Sequence, residues 1–476
     1  MLFNSIDFAV FLPIVFLLYW FVFNKNLKHQ NTLLVAASYL FYGWWDWRFL
    51  SLIIFSTVVD YSVGVLLSKE QSISKRKLLL WVSIIVNLGF LGFFKYYNFF
   101  LDNFVAAFSL FGSEIQPNSL QIILPVGISF YTFQTMSYTI DVYNGKLIPE
   151  KHFGKFALYV SFFPQLVAGP IERATNLLPQ LQSLKRLLNH KDFVSGISQI
   201  IVGLFKKVVV ADLAASYVNL YYNNFEFHSG FALLVGTYLF AIQIYCDFSG
   251  YSDIAIGTAR MLGFRFMDNF RTPYYSKSIT ELWRRWHISL SSWLRDYLYI
   301  PLGGNRKGKF NSYRNVMITM LLGGLWHGAS WNFVIWGALN GVYLSVERIV
   351  KLKKIDRNKT LLSKLFFAFF TFNLVCLTWI FFRAQTFKQA QLILIKIVSW
   401  EGGSSIALPD LNVFLSIVFS IIILFLIEFF YLRKYSFEHF YERYGALVHG
   451  CAISILLLII LLFGVDHGES FIYFQF

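Results

Sequence analysis

Apolar runs of roughly 18 or more residues recur along the whole chain, and each is long enough to cross a bilayer. They are continuous, unlike the short alternating segments of a membrane β-barrel. They therefore read as helices, which satisfy their own backbone polar groups in hydrocarbon. Lysine and arginine gather in the connections. Residues 1–24 form the first run, with no Lys or Arg before it and Lys25, Lys28 and His29 after it. A cleaved signal peptide has the opposite arrangement, so the pattern predicts a retained span whose N-terminus faces away from the cytoplasm. The next basic cluster is Lys69, Lys75, Arg76 and Lys77. Two spans fit before it, turning near Trp44, Trp45, Asp46 and Trp47, where tryptophan suits a membrane interface. Further basic connections run from Arg348 to Lys359 and through Arg433, Lys434 and Arg443. The last run, near 446–465, precedes Asp466 and Glu469, so the C-terminus is also expected outside. The pattern predicts an all-α polytopic membrane protein of about 11 transmembrane helices, organised as one domain over 1–476.

The middle of the chain departs from this rhythm. Residues 150–225 mix short apolar runs with Pro164, Gly169, Pro170 and Pro179. Residues 265–315 combine Arg284, Arg285, Arg295, Arg306, Lys307, Lys309 and Arg314 with Trp283, Trp286, Trp293, Tyr297 and Tyr299. Such a segment either lies along the interface or folds back into the protein as re-entrant structure.

Composition agrees. The chain is 57% hydrophobic and 14% charged, against about half and a quarter in soluble domains. The net charge of +15 is accounted for by positive connections, so no nucleic-acid surface is expected. Cys246, Cys376 and Cys451 lie far apart in apolar runs, without metal or redox spacing. There is no phosphate-cradling Gly-x-x-x-x-Gly-Lys-Ser/Thr loop and no His-Glu-x-x-His pair. No bound cofactor or metal is expected.

An ionisable group in a membrane interior is costly and needs a reason. Histidine can stay neutral there, and its ordinary pKa suits proton transfer. Of nine histidines, His29, His152, His190, His228, His439 and His467 fall in polar connections or tails, and His449 opens the last run, where it can reach the interface. His327 differs: it lies in an uncharged stretch from Met320 to Trp336. Gly323, Gly324 and Gly328 leave room beside it for another backbone or a thin substrate. Residue by residue, packing and catalysis remain even readings for His327. His287, beside Arg284 and Arg285, reads first as part of an interfacial helix meeting lipid headgroups. Asp247 and Asp253 read as helix caps or as the lining of a polar cavity. Gly303 and Gly304, in a basic stretch, read as a mobile turn.

Together, Trp283-Arg-Arg-Trp-His287, Asp296 through Asn305, and Gly324-Leu-Trp-His-Gly-Ala329 resemble the membrane-bound O-acyltransferase family. Its bacterial branch with the alginate O-acetyltransferase membrane subunit and the teichoic-acid D-alanyl transferase is the similar one. The opening Met1-Leu-Phe-Asn-Ser, Tyr42-Gly-Trp-Trp, Phe163 through Glu172, Asp247 through Asp253 and the ending Phe471 through Phe476 also resemble that branch. The resemblance implies a ring of helices around a thinner centre, with a funnel from the cytoplasm to an essential histidine, which falls on His327. The second motif histidine falls on His287. It implies transfer of an acyl group, expected to be acetyl, from a thioester donor to an extracytoplasmic polysaccharide. The expected donor is acetyl-CoA, with an acyl carrier protein thioester as the alternative. His327 is the expected general base and His287 an orienting or oxyanion-stabilising group. Trp283, Arg284, Arg285, Trp326 and Arg306 are expected near the substrate, the arginines attracting a phosphorylated donor. An extracytoplasmic SGNH/GDSL-type partner with a serine nucleophile is expected to complete the transfer. A polysaccharide or lipid transporter and a non-catalytic scaffold of a secretion complex are the rival classes; the internal repeats common in transporters are not evident.

Overall fold

The computed structural model describes residues 1–109, 120–167, 169–184, 187–306, 308–350, 360–408, 410–429, 437–465, 468 and 470–474. Lys307, the basic stretch from Lys351 to Lys359, Arg433, Lys434, Asp466, His467, Glu469 and the final Gln475 and Phe476 lie outside the described residues, as does the side chain of His439. Every regular element among the described residues is helical. Among the described residues six helical stretches, 27–69, 73–109, 190–223, 230–261, 361–383 and 440–463, are long and apolar enough to cross a membrane. The chain is therefore a multi-pass membrane protein. It divides into two compact units, residues 1–193 with 258–267, and residues 194–257 with 268–476.

The first unit begins with α1 (Ile6–Leu17), capped by the Ser5 hydroxyl, which accepts from the Phe8 N–H. α2 (Leu27–Asp46) is capped by Asn26. Helical continuity breaks at Asp46, whose backbone is extended, and resumes through a short turn into α3 (Leu50–Lys69). Each of these helices has 20 residues, about 30 Å at 1.5 Å per residue, one membrane core. The break falls at the tryptophan turn, and Trp44, Trp45 and Trp47 are exposed there. α4 (Ile73–Leu91) and α5 (Tyr97–Ser109) follow. α6 (Ile128–Tyr143) is buried along nearly its whole length, and α7 (Phe153–Ser161), α8 (Phe163–Leu166) and α9 (Ala174–Leu181) complete the unit.

A polar network ties α3, α4 and α6 together. The fully buried Asp60 carboxylate accepts from Ser83, from Asn87 Nδ2 (2.8 Å) and from Thr139 Oγ1 (3.1 Å). Asn87 Oδ1 in turn accepts from Ser56 (3.0 Å) and Thr135 (3.1 Å). A buried carboxylate without such donors would be strongly destabilising.

The second unit contains α10 (His190–Leu204) from Val194 onward, α11 (Asp212–Asn223) and most of α12 (Gly230–Met261). α10 and α12 meet backbone to backbone. A Cβ on Gly250 would lie 2.7 Å from the Gly203 carbonyl oxygen, and one on Gly257 2.5 Å from that of Gly196. Small residues at such a crossing are the usual way membrane helices approach closely. Ion pairs line the same helices: Lys206 Nζ lies 2.7 Å from Asp253, and Lys207 Nζ 2.8 Å from both Asp212 and Asp247. Asp247 and Asp253 thus cap no helix end, as the sequence reading allowed. Both lie inside α12 against lysines that a reading of the loops passes over.

From Asp268 onward the segment after α12 folds back into this unit and buries part of its length. α13 (Ile279–Leu282) and α14 (Ile288–Leu294) flank Trp286 and His287, which are both buried. α15 (Gly308–His327) and α16 (Trp331–Ile349) form a hairpin, so the uncharged stretch from Met320 to Trp336 is two helix ends and a turn. α17 (Leu361–Arg383), α18 (Phe387–Val398), α19 (Leu411–Ile427) and α20 (Phe437–Phe463) follow, and a short 3-10 turn spans Ile472–Phe474.

Candidate active site

His327 is the last residue of α15, and Ser330 carries extended backbone into α16. The glycines around it are used for packing. A Cβ on Gly324 would lie 2.2 Å from the Phe333 carbonyl oxygen, and one on Gly328 would meet the Phe333 ring. Of the two occupants expected beside His327, a second backbone is the one found at Gly324. This close hairpin fixes the imidazole at a helix break, only 3% exposed.

Aromatic rings surround it. The His327 ring centroid lies 4.8 Å from Trp336, 5.0 Å from Trp326, 5.4 Å from Phe382 and 5.5 Å from Tyr473. Trp326 is shared with the second histidine: His287 lies 5.8 Å from Trp326 and 6.5 Å from Tyr473. The two motif histidines, 40 positions apart in the chain, therefore face the same two rings. Trp283 joins the cluster at 5.7 Å from Trp336. In this apolar wall Trp283 Nε1, Trp336 Nε1 and Tyr473 Oη have hydrogen-bonding capacity with no hydrogen-bond partner among the described residues.

His287 is held in a specific state. Its backbone is left-handed (φ 43°), a conformation unfavourable to a side chain with a Cβ. Asn269 holds it there: the Asn269 carbonyl accepts from the Ile288 N–H (2.8 Å), and Asn269 Oδ1 faces His287 Nδ1 at 3.1 Å. Asn269 Nδ2 donates to Ser252 Oγ (3.0 Å) and Oδ1 also accepts from Ser289 Oγ (2.9 Å), so the amide is oriented and Oδ1 is the acceptor. The proton of neutral His287 is thereby assigned to Nδ1, with the lone pair at Nε2. Burial pushes its pKa down to about 3, so the ring is neutral at physiological pH.

The arginines are placed differently. Arg285 is paired with Glu281 at 2.8 Å and reaches the Thr272 hydroxyl at 3.3 Å. Arg284 and Arg306 are exposed. The Gly303–Gly304 turn is pinned, since Asn315 Nδ2 donates to the carbonyls of Leu302 and Gly304. His449 does not reach outward; it is buried, with Nε2 2.8 Å from Ser198 Oγ. Among the described residues no group of three or more His, Cys, Asp or Glu side chains is placed to hold a metal ion.

Residues 148–382, which include both histidines, match the sequence profile described as MBOAT, membrane-bound O-acyltransferase family. The probable alginate O-acetylase AlgI of Pseudomonas putida is 45% identical over 82% of this chain and 79% of its own length. The peptidoglycan O-acetyltransferase of Helicobacter pylori is 37% identical over 85% and 81%. The chain belongs to the membrane-bound O-acyltransferase family. The teichoic acid D-alanyltransferase of Streptococcus thermophilus is a more distant member, 29% identical over 60% of this chain and 75% of its own. This membrane-bound O-acyltransferase is an O-acetyltransferase, as its resemblance to the bacterial branch implied. Asn269, Trp336 and Tyr473 were given no role by the sequence. Asn269 has no local signal, since its role exists only once His287, 18 positions later, folds back on it. Tyr473 lay inside a motif noted for resemblance and was given no role.

Proposed function

We propose that this O-acetyltransferase moves an acetyl group from a cytoplasmic thioester donor, acetyl-CoA in preference to an acyl carrier protein, across a bacterial cytoplasmic membrane for O-acylation of an extracytoplasmic polysaccharide. The observation that carries the reading is the pair His287 and His327 packed on the shared rings of Trp326 and Tyr473. Polysaccharide acceptors are suggested by relatives whose names specify alginate and peptidoglycan O-acetylation.

In the proposed reaction His327 takes the proton of an acceptor hydroxyl as its oxygen attacks the thioester carbonyl carbon. The tetrahedral oxyanion collapses, the carbon–sulfur bond breaks, and the thiolate leaves with the proton that His327 returns. The Trp336 indole N–H, buried beside His327, is a donor of the kind that stabilises such an oxyanion. His287 presents an acceptor at Nε2, which favours orienting a hydroxyl over stabilising the oxyanion. Arg284 and Arg306 supply positive charge for a phosphorylated donor. Both termini lie outside the cytoplasm, where an SGNH/GDSL-type partner receives the acetyl group through its serine.

Replacing His327 by Ala is expected to abolish O-acetylation of cell-surface polysaccharide, measured by mass spectrometry, at an unchanged level of membrane-inserted protein. Normal acetylation in that variant would sink the reading.

A further inference from the structure

The 3-10 turn that carries Tyr473 to the two histidines is itself held from a distance. Its first amide, the Ile472 N–H, donates to Asp247 Oδ2 at 2.7 Å, a bond between residues 225 positions apart. Asp247 Oδ1 lies 2.8 Å from Lys207 Nζ, and the same ammonium donates to Asp212 Oδ1 at 2.8 Å. All three side chains are buried. The approach of the segment is fixed at two further points. The Val465 N–H donates to the Val208 carbonyl at 3.0 Å, and Gly468 sits so tightly on Asp212 that a Cβ there would lie 2.1 Å from Oδ2. Val465, Gly468 and Ile472 therefore meet Val208, Asp212 and Asp247 in turn. Phe471 and Ile472 are buried, and the Phe471 ring packs 4.6 Å from Tyr251 and 5.6 Å from Phe248.

Burying two carboxylates around one lysine is costly unless their remaining acceptor positions are used. Here one of those positions is spent on the backbone of the turn. A charged acceptor makes a stronger bond to an amide than a neutral one does, so the turn is anchored where a carbonyl would hold it less firmly. Asp253, on the same helix, forms a comparable pair with Lys206 and also accepts from Gln199.

We propose that Asp247, held by Lys207 and Asp212, is a positioning residue of the acetyl-transfer site: it seats the turn at 472–474 so that the Tyr473 ring stands against His287 and His327. The proposal rests on the acetyl-transfer reading above for its effect on activity, and on geometry alone for its effect on the segment.

Two readouts on the purified full chain and on cells carrying it separate these. The first is carboxypeptidase digestion followed by intact mass, scored as removal of Phe474 and the residues before it. The second is the O-acetyl content of the surface polysaccharide. Asp247→Ala is expected to speed digestion roughly tenfold, as loss of a charge-assisted anchor opens the segment locally, and to lower O-acetylation with it. Asp247→Asn, which keeps an acceptor for the amide, should restore part of both. Should Asp247→Ala fail to fold, an α-hydroxy acid at position 472 replaces only the N–H by an ester oxygen and leaves every ion pair intact; the same two losses are expected. Asp253→Ala should leave the segment protected. Unchanged protection in the ester variant overturns the proposal, and so does lost protection with full O-acetylation. If His327→Ala retained O-acetylation, the reaction assignment would fall, while the digestion result would still decide whether Asp247 seats the segment.

Discussion

At the scale of single residues, what matters is how far each side chain's state is imposed on it. His287 stands in left-handed backbone with its Nδ1 against Asn269 and its pKa lowered by burial from 6.5 to about 3. The unfolded chain binds a proton at this ring below about pH 6.5, and the folded chain does not until about pH 3. The stability held by the neutral ring is therefore fully present above pH 6.5 and lost as pH falls towards 3. The melting temperature of the purified protein in detergent is expected to fall over that window, and His287→Gln to flatten the fall. An equal slope in both proteins would show that other groups carry it. The uncharged stretch that holds Trp326 and His327 was legible in the sequence, and it left packing and catalysis as even readings for His327. The burial of His287 was not, because its neighbours Arg284 and Arg285 look like a surface. Arg285 faces Glu281 instead, and the neighbouring imidazole turns inward.

At the scale of helices, close approach decides the architecture. The contact of α10 with α12 at Gly203 and Gly250 leaves no space for a methyl group. Gly250→Ala is expected to destabilise the protein by about 1–3 kcal/mol, as overpacking does, read as a lowered melting temperature; an unchanged value would mean the helices can part without cost. The helices themselves were readable from their apolar runs, and the break at Asp46 from its tryptophans. The Asp60 network and the pairs of Lys206 and Lys207 were not, because charges within apolar helices carry no periodic signal. Their reason is the partner on another helix, and partners are set by packing.

At the scale of the whole molecule, charge and order of assembly come forward. Arg284 and Arg306 are exposed, unlike Arg285. Reversing both, Arg284→Glu with Arg306→Glu, is expected to raise the KM for acetyl-CoA by roughly tenfold, about 1.4 kcal/mol, with kcat little changed. Steady-state kinetics with the labelled thioester checks this; an unaltered KM would place the donor elsewhere. The membrane class and family were legible from the whole chain, since several motifs spread over it agree. The meeting of Tyr473 with two distant histidines was not, because it depends on a bond spanning 225 positions. That span has a temporal meaning. At roughly 5–20 residues per second of synthesis, Asp247 waits on the order of tens of seconds for the amide it will hold. Once His327 has been made, part-way through that interval, the nascent chain contains both histidines without the tyrosine that stands against them. Tyr473 therefore joins a chain whose two histidines were made well before it.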